Sequence, residues 1–244
     1  MGKTFLGIYM LSIFLVLHVD AENLRLLAHW PMNEGEGVSI NDVSGNGHNG
    51  TLLNPESSKW VDGREGKALY FNNIPEKMPK DKNAVIKVEK LGGYDFSKGL
   101  TVTAWIKTPP QLHRSAQYEI IDNSPSGKGP GFRLLISWRM LMFYCADGKT
   151  FSAAKSSTAT DAINADTWYH VATVYDGKTA KVYINGHLAG ESPENVILPK
   201  GRTYISIGAM NTGNCYGFEG IISDLKLYSG AMSDAEIAKT AKGI

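Results

Sequence analysis

The chain has 244 residues, in which 25 lysine and arginine residues nearly balance 24 aspartate and glutamate residues. This balance, with no block of like charge, argues against a protein that binds nucleic acid or an anionic membrane through a basic surface. The chain has only two cysteines, Cys145 and Cys215, so the fold depends on buried apolar side chains and not on a disulfide scaffold. In an exported protein these two cysteines are still candidates for a single disulfide.

The N-terminal residues carry the features of an export signal. Lys3 supplies a positive charge, an almost unbroken apolar run extends from Phe5 to Leu17, and Val19-Asp20-Ala21 offers a cleavage site. The run is shorter than the about 20 apolar residues that cross a membrane as a helix. We therefore expect residues 1–21 to be a cleaved signal peptide and residues 22–244 to form one secreted or periplasmic domain without a membrane span. A hydrophobic helix retained in the fold is the alternative.

Short strands are predicted along most of the chain. Between residues 22 and 230, apolar or alternating runs recur without sustained helical periodicity, each closed by glycine, asparagine, aspartate or proline. In the most regular block, Trp168 to Glu191, Asp176-Gly177 and Asn185-Gly186 predict two type I′ hairpin turns of two residues each. The other predicted strands are Leu26–Met32, Ala68–Phe71, Ala84–Val88, Leu100–Lys107, Tyr118–Asp122, Phe132–Ser137, Met140–Ala146, Tyr204–Ile207 and Phe218–Tyr228.

One short helix is predicted near the C terminus. Ser233 and Glu236 fit a capping box, and Ile237, Ala238 and Ala241 would dock the helix on the sheets. A dozen or so short strands without crossover helices predict antiparallel sheets packed face to face. The fold class is therefore an all-β sandwich of one domain, with no linker or internal repeat to divide it.

The segment from Asn41 to Gly50 contains three glycines and three asparagines, and from Gly45 it matches G-x-G-x-x-G. A phosphate-binding loop of that pattern needs a buried strand before it and a helix that begins at its third glycine. Glycines interrupt the preceding residues, and Pro55 prevents a helix, so a dinucleotide site is disfavoured. A cation site and a plain tight turn are the two remaining interpretations.

Seven segments of the chain, in order, resemble motifs of one known family. They are Leu27–Gly35, Asp42–Thr51, Gly66–Phe71, Leu100–Ile106, Trp168–Ala172 with Val182–Gly186, Phe218–Tyr228 and Met232–Ile237. The family is the laminin-G-like jelly rolls of the concanavalin A-like lectin/glucanase superfamily. The resemblance implies a jelly-roll sandwich of two antiparallel sheets with a short C-terminal helix. It also implies recognition of a glycan or an extracellular protein more often than catalysis.

The resemblance further implies a structural calcium ion, because in many relatives the glycine-rich loop helps to hold one. Asp42 would supply a carboxylate, and the backbone carbonyls of Asn46, His48 and Asn49 would supply most of the other oxygens. The first and last strands pair in relatives, which would add Asp224. Relatives often carry two adjacent acids there, whereas a serine precedes the aspartate in this chain, so the plain turn stays open.

Two loop aromatics are candidate ligand-binding residues. Trp138 and Arg139 lie between two predicted strands, where relatives usually carry glycine, aspartate or asparagine. An exposed tryptophan there could stack on a sugar ring while Arg139 donates hydrogen bonds, and Tyr216 is a second aromatic in a loop. The alternative is that the strand continues and Trp138 packs inside.

Three tryptophans that fall within predicted strands, Trp30, Trp105 and Trp168, are expected to fill the core. The histidines show no ligand spacing for a transition metal, and two of them neighbour tryptophans. A hydrogen-bonded packing role is therefore the expectation for His29 and His170.

Catalysis is not predicted. Glycosidic hydrolysis needs two carboxylates that flank the sugar, about 5–10 Å apart, and no predicted strand shows a recognisable pair. Glu34 with Glu36, and Glu191 with Glu194, are interpreted as loop charges. We therefore predict a secreted, non-catalytic module that binds a carbohydrate or an extracellular partner. The alternatives are a glycoside hydrolase or polysaccharide lyase on the same fold, with an unrecognised site, and a structural adhesion domain.

Overall fold

The computed structural model describes residues 24–74, 81–92, 94–113, 116–125, 129–193, 197–198, 204–213 and 215–243. The predicted signal peptide, residues 1–21, lies outside these ranges. The described elements are β1 (Arg25–Trp30), β2 (Ser39–Ile40), β3 (Gly50–Leu53), β4 (Ser58–Asp62), β5 (Lys67–Asn72), β6 (Val85–Val88), β7 (Leu100–Lys107), β8 (Gln117–Asp122), β9 (Gly131–Ser137), β10 (Met140–Ala146), β11 (Phe151–Lys155), β12 (Trp168–Tyr175), β13 (Thr179–Ile184), β14 (His187–Pro193), β15 (Ile205–Ile207), β16 (Glu219–Ser229) and α1 (Asp234–Thr240).

Two antiparallel sheets make up the molecule, which confirms the predicted all-β jelly-roll sandwich. In the first sheet the order is β14-β13-β12-β7-β16-β5-β4, and β1 pairs with the last residues of β16. In the second sheet the order is β11-β10-β9-β8-β15-β6-β3-β2. Half of the neighbouring pairs in these orders are not consecutive in the chain, and the strands cross between the sheets as in a jelly roll.

The core lies between the sheets and follows from the two-residue alternation of the strands. Phe132, Leu134 and Ile136 of β9 point inward and meet residues such as Val102 and Ile106 of β7. The intervening residues point away from the core. Each sheet thus has an outward surface, and we call these surfaces the first outer face and the second outer face.

The same alternation corrects the prediction for the tryptophans. Trp30 is fully buried, as expected. Trp105 is only half-buried and lies on the first outer face, because Val102, Ala104 and Ile106 take the inward positions of its strand. Trp168 is also half-buried, since the next residue of β12 is the one that joins the core.

The predicted meander of β12, β13 and β14 is confirmed, but only one of its two turns has the predicted form. Asn185 and Gly186 have φ values of 52° and 82°, as a type I′ turn requires. The other connection has three residues, Asp176 to Lys178, and only Gly177 has a positive φ. The Asp176 carboxylate accepts hydrogen bonds from the amides of Lys178 and Thr179, which stabilises the longer turn.

Helix α1 begins at the predicted capping box. The Ser233 side chain accepts a hydrogen bond from the Glu236 amide, and the Glu236 carboxylate accepts one from the Ser233 amide. Ile237 is buried on the first outer face with Ala172 and Tyr183. Within the described ranges, no helix has the length and composition required to span a lipid bilayer.

The two cysteines are not joined by a disulfide in the structure. Cys145 is 1% exposed and belongs to the core between the sheets. Cys215 is half-buried in the loop after β15, where its backbone forms an isolated antiparallel β-bridge with Met210. One cysteine faces the core and the other lies in a peripheral loop, and their pairing in the exported protein stays a prediction.

Candidate functional site

The glycine-rich loop is organised around the carboxylate of Asp42. One oxygen accepts hydrogen bonds from the amides of His29 and Ser44, and the other accepts one from the amide of His48, all at 2.9 Å. Burial acts to raise the pKa of Asp42, but these hydrogen bonds outweigh it and hold the pKa below its ordinary value. The loop therefore closes on an ionised aspartate.

The other predicted ligands of the loop also have hydrogen-bond partners, either in β1 or within the loop. The side-chain amide of Asn46 donates to the carbonyls of Leu26 and Leu27. The carbonyl of His48 accepts from the indole of the buried Trp30, and the side-chain oxygen of Asn49 accepts from the amide of Asp42.

Asp224 is linked to the same network through His29. Its carboxylate contacts Nε2 of His29 at 2.6 Å and Nζ of Lys226 at 2.9 Å. The backbone of Asp224 has a φ of 49°, at a bulge in β16. Burial acts to raise the pKa of Asp224, but His29 and Lys226 together lower it. The structure therefore gathers the five predicted metal ligands around His29 and Asp42.

These residues leave limited room for an ion. A carboxylate has about four acceptor positions, of which Asp42 uses three and Asp224 uses two. Calcium would complete its six to eight oxygens with backbone carbonyls and water. In the described part of the chain, no three His, Cys, Asp or Glu side chains form a group able to hold a metal ion. Calcium stays a prediction that rests on the family resemblance.

Trp138 and Arg139 form a two-residue turn between β9 and β10. Their φ values of 52° and 63° are left-handed, and the flanking residues Ser137 and Met140 still pair. Trp138 is 59% exposed, which excludes the alternative that it packs inside. The guanidinium of Arg139 does not point to a ligand position, because it donates to the carbonyl of Ile163 and to the side chain of Asn164.

Tyr216 lies apart from Trp138. It is 42% exposed, has a φ of 54°, and its ring lies 5.3 Å from Cζ of Arg133 on the second outer face. Arg133 and the residue before Trp138 are four positions apart on β9, roughly 13 Å at about 3.3 Å per residue. The predicted residues Trp138, Arg139 and Tyr216 therefore do not form one compact site.

A different set of side chains surrounds Tyr216. On the second outer face, Cζ of Arg133 lies 5.8 Å from the ring centre of Tyr144, whose ring lies 6.4 Å from that of Phe151. Tyr216, Arg133, Tyr144 and Phe151 thus form a continuous line across neighbouring strands, which we call the aromatic row. Phe151 is 49% exposed, so both ends of the row reach solvent.

A buried glutamate lies beneath Arg133 of the aromatic row and pairs with it. Arg133 donates from Nε and Nη2 to one oxygen of Glu119, and also to the side chain of Gln117. Glu119 is fully buried, and its second oxygen has no hydrogen-bond partner among the described residues. Burial raises the pKa of Glu119 to about 8; Arg133 opposes this shift and the nearby Asp122 adds to it.

Asp122 shares the second outer face with Glu119 because of a β-bulge. The register of β8 shifts between Glu119 and Ile121, so that Glu119 lies opposite Leu135 and Asp122 lies opposite Arg133. Without the bulge, residues three apart would face opposite sides. Asp122 is fully buried and accepts hydrogen bonds from the amides of Ser124 and Asn211.

The aromatic row and the pairing of Arg133 with the buried Glu119 were not predicted from the sequence. The available signal was a charged residue of each sign within consecutive, largely buried strands, Glu119 in β8 and Arg133 in β9. Charged residues are rarely buried unless they are paired. Two such charges of opposite sign, on consecutive predicted strands, indicate a cross-strand pair. Tyr144 and Phe151 gave no comparable signal.

Comparison with known proteins supports the fold. A family model described as the concanavalin A-like lectin/glucanases superfamily matches residues 80–238, more than half of the chain. None of the curated proteins compared with the chain matches it.

Several solved structures share the architecture. The binding domain of Paraclostridial Mosquitocidal Protein 1 has a TM-score of 0.67 at 18% identity, with 89% of this chain and 52% of that chain covered. The receptor binding domain of botulinum neurotoxin C/D mosaic serotype has a TM-score of 0.65 at 16% identity, covering 89% and 51%. The binding domain of botulinum neurotoxin DC, in complex with rat synaptotagmin II, has a TM-score of 0.64 at 13% identity, with 89% of this chain and 51% of that chain covered. This chain thus spans about half the length of these binding domains, and the likeness shows a shared fold.

Proposed function

This chain belongs to the concanavalin A-like lectin/glucanases superfamily, and on that premise we propose that it is a non-catalytic module that binds carbohydrate. The observation that carries the proposal is the aromatic row on the second outer face. The solved structures that share its fold are binding domains by their descriptions. That likeness agrees with a binding role but does not identify the ligand, which we infer from the side chains of the site.

The aromatic row suits a sugar for physical reasons. Small-molecule sites are lined by aromatic side chains with a few well-placed polar groups. Tyrosine supplies a large amphipathic contact at low cost in conformational entropy, because it has only two side-chain torsions. The apolar face of a pyranose can stack on the rings of Tyr144, Phe151 and Tyr216. Its hydroxyls can meet the tyrosine hydroxyls and the edge of the Arg133 guanidinium.

The carboxylates beneath the row support binding over catalysis. A general acid or nucleophile must reach the reacting bond. Glu119 and Asp122 are both fully buried, and each is held by hydrogen bonds to the protein itself. A sugar on the aromatic row would therefore rest above these acids without contacting them.

One observation favours an enzyme as the second candidate. The bulge in β8 places two acids on one face, and the pKa of one of them, Glu119, is raised to about 8. Pairs of acids with separated pKa values are typical of glycosidases. A conformational change that uncovers Glu119 would be needed for this activity.

We further propose that the protein is exported and that calcium stabilises the Asp42 loop. The N-terminal residues and the family resemblance support these two statements. N-terminal sequencing of the mature protein tests the first, with cleavage after Ala21 as the expected result. An intact N terminus in protein recovered from the medium or periplasm would contradict it.

The proposed function is tested by retention on immobilised polysaccharides. A panel of β-glucan, xylan, mannan, galactan and pectin is used with the full chain, once with calcium and once with a chelator. We expect retention on at least one polysaccharide and no release of reducing ends or unsaturated products. Sustained product formation that is lost in Glu119→Gln would instead establish the enzyme.

Variants of the aromatic row identify the binding surface. Tyr144→Ala and Phe151→Ala should each reduce retention at least tenfold. Leu188→Ala is the matched control, because Leu188 is an exposed apolar residue (44%) on β14 of the first sheet. Equal retention of the row variants and the control would place the ligand elsewhere. Retention on none of the polysaccharides would refute carbohydrate binding and leave a protein partner to be tested.

A further inference from the structure

We infer that the aromatic row receives the end of a carbohydrate chain and not its interior. This inference rests on the proposed function, and it follows from the shape of the second outer face on either side of the row. One side is closed by the loop between β15 and β16, of which residues 208–213 and 215–217 are described, and the other side is an exposed sheet edge.

The closed side lies at β8. The amide of Asn211 donates to the carboxylate of Asp122, and the carbonyl of Tyr216 accepts from the amide of Glu119. The ring of Tyr216 extends over Arg133. Beyond this point the cross-strand line continues to Ser206, which is fully buried. A chain that lies on the row therefore cannot continue across β8, because the ring of Tyr216, which this loop carries, stands in its path.

The loop is held firmly enough to act as a wall. The fully buried side chain of Asn73 donates to the carbonyl of Gly208, and the buried side chain of Asn83 donates to the carbonyl of Gly213. At Gly217 an added Cβ would lie 2.4 Å from Asn83, so the backbone is packed directly against this support. Buried, hydrogen-bonded amides of this kind are costly to separate, and the wall does not swing aside at low cost.

The open side lies at β11, the edge strand of the second sheet. Phe151 begins this strand, and the four residues before it, 147–150, are all exposed. From β11 to β9 the row crosses two strand spacings, about 10 Å in total. The row thus accommodates a terminal disaccharide, with the rest of the chain leaving over the edge at Phe151.

The experiment tests whether inhibition depends on the number of chain ends or on the total mass of polysaccharide. The polysaccharide that the wild-type protein retains in the panel above is partly hydrolysed with dilute acid and separated into fractions of decreasing mean length. Each fraction competes, at equal mass concentration, with the immobilised polysaccharide. A protein that binds chain ends should be inhibited more strongly as the fragments shorten, by about tenfold for a tenfold shorter mean length.

A variant of the wall gives the matched control. Tyr216→Gly removes the ring that closes the row, and glycine accepts the left-handed φ of 54° without strain, so the fold is preserved. We expect weaker binding and loss of the dependence on chain length, because the chain interior can then enter. Leu188→Ala should keep both the affinity and the length dependence.

The outcomes separate this inference from the proposed function. Equal inhibition by all fractions at equal mass would overturn recognition of chain ends while leaving carbohydrate binding intact. A length dependence that persists in Tyr216→Gly would also overturn it, because the wall would then not be its cause. Absence of retention on every polysaccharide would overturn both.

Discussion

The two outer faces of the sandwich differ in whether the aromatic ring or the cation beside it lies nearer the solvent. On the first outer face, the guanidinium of Arg64 lies 3.4 Å above the ring of Trp105, which packs against His170 on its own sheet. The ammonium of Lys59 lies 5.0 Å above Tyr70. Exposed side chains of the chain itself thus occupy the ring faces there, and helix α1 covers the neighbouring apolar residues.

On the second outer face the cation is buried and the aromatic rings are exposed. The cation, Arg133, is 4% exposed, whereas the aromatic residues Tyr216 and Phe151 are 42% and 49% exposed. Cation–π contacts hold the rings in place from below and leave other ring surface to solvent. Composition alone therefore does not mark a binding face, because both faces carry aromatic residues and cations. Which partner is buried decides which face can accept a ligand.

The largest expected effect comes from removing an acid on each face. Glu119→Ala leaves the buried guanidinium of Arg133 without its partner, and arginine cannot lose its charge, so we expect a loss of about 3–5 kcal/mol. Asp224→Asn is the counterpart on the first outer face, where the carboxylate is 41% exposed. Asparagine tolerates the left-handed backbone at this position. Loss of the partly exposed pair between His29 and Asp224 should therefore lower the free energy of unfolding by about 1 kcal/mol or less. Urea unfolding measures both, and equal losses would remove the distinction between the faces.

The two outer faces should also differ in the pH dependence of stability, beginning with Glu119 on the second outer face. Its pKa of about 8 lies above the ordinary value of 4.5, so the folded state holds this proton more tightly than the unfolded chain. The resulting stabilisation is complete below about pH 4.5 and is lost as the pH rises towards 8. Glu119→Gln should therefore flatten the decline over this range in urea unfolding. An unchanged slope would show that Glu119 ionises in the folded state at its ordinary pKa.

His170 on the first outer face predicts the opposite slope. Burial lowers its pKa to about 4; Asp224 opposes this shift, and Lys226 and Arg64 contribute to it. The folded state then holds the proton less tightly than the unfolded chain, so stability present above about pH 6.5 is lost as the pH falls towards 4. The loss amounts to roughly 3 kcal/mol.

His170→Phe tests this slope. Phenylalanine keeps the contact with Trp105 and removes both the titration and Nδ1, which has no hydrogen-bond partner among the described residues. We expect the variant to lose less stability than the wild type between pH 6.5 and 4. The same acid sensitivity in both proteins would assign it to other groups.

A smaller effect is expected at the rim of the second outer face. Trp138 occupies a left-handed position that costs a non-glycine residue roughly 1–2 kcal/mol, and asparagine tolerates it better. Trp138→Asn should raise the midpoint of thermal unfolding by about 2–4 °C. A lower midpoint would show that contacts of the indole ring outweigh the backbone strain.

The smallest expected effect is that of calcium on the Asp42 loop. Because Asp42 already accepts three backbone hydrogen bonds, we expect weak binding and a rise in the unfolding midpoint only at millimolar calcium. Asp42→Ala should abolish the calcium-dependent rise, although its midpoint falls in either condition because three amides lose their acceptor. No difference between calcium and chelator in the wild type would leave the loop as a plain turn.

The fold could be predicted from the sequence because its signals are local. Leu100–Lys107 and Met140–Ala146 have the predicted bounds as strands, and the capping box at Ser233 begins α1 as expected. Alternating apolar residues and end-capping side chains act within a few residues of one another. The strands β2, β3, β4 and β11 were missed because they are short or lack an apolar alternation, and their partners hold them in the sheets.

The candidate site could be predicted only in part. Tyr216 was chosen from its loop, and Trp138 is exposed as its candidate role requires. Their separation, and the use of Arg139 to hold Asn164, depend on packing between distant segments. Glu119 and Asp122 were not recognised as neighbours on one face, because the bulge between them has no sequence signature of its own.

The class of fold, the positions of most strands, the start of the helix and the family could all be predicted from the residues alone. The packing of the two sheets was needed to show that Glu119 lies beneath Arg133 of the aromatic row, that Arg64 lies above Trp105, and that the loop at Tyr216 closes one end of the row. The two groups of features differ in how far apart in the chain the interacting residues lie. Strand alternation and capping are interactions within a few residues, whereas the aromatic row and its wall join segments that are distant in the chain, through burial and hydrogen bonds that exist only after the two sheets have packed.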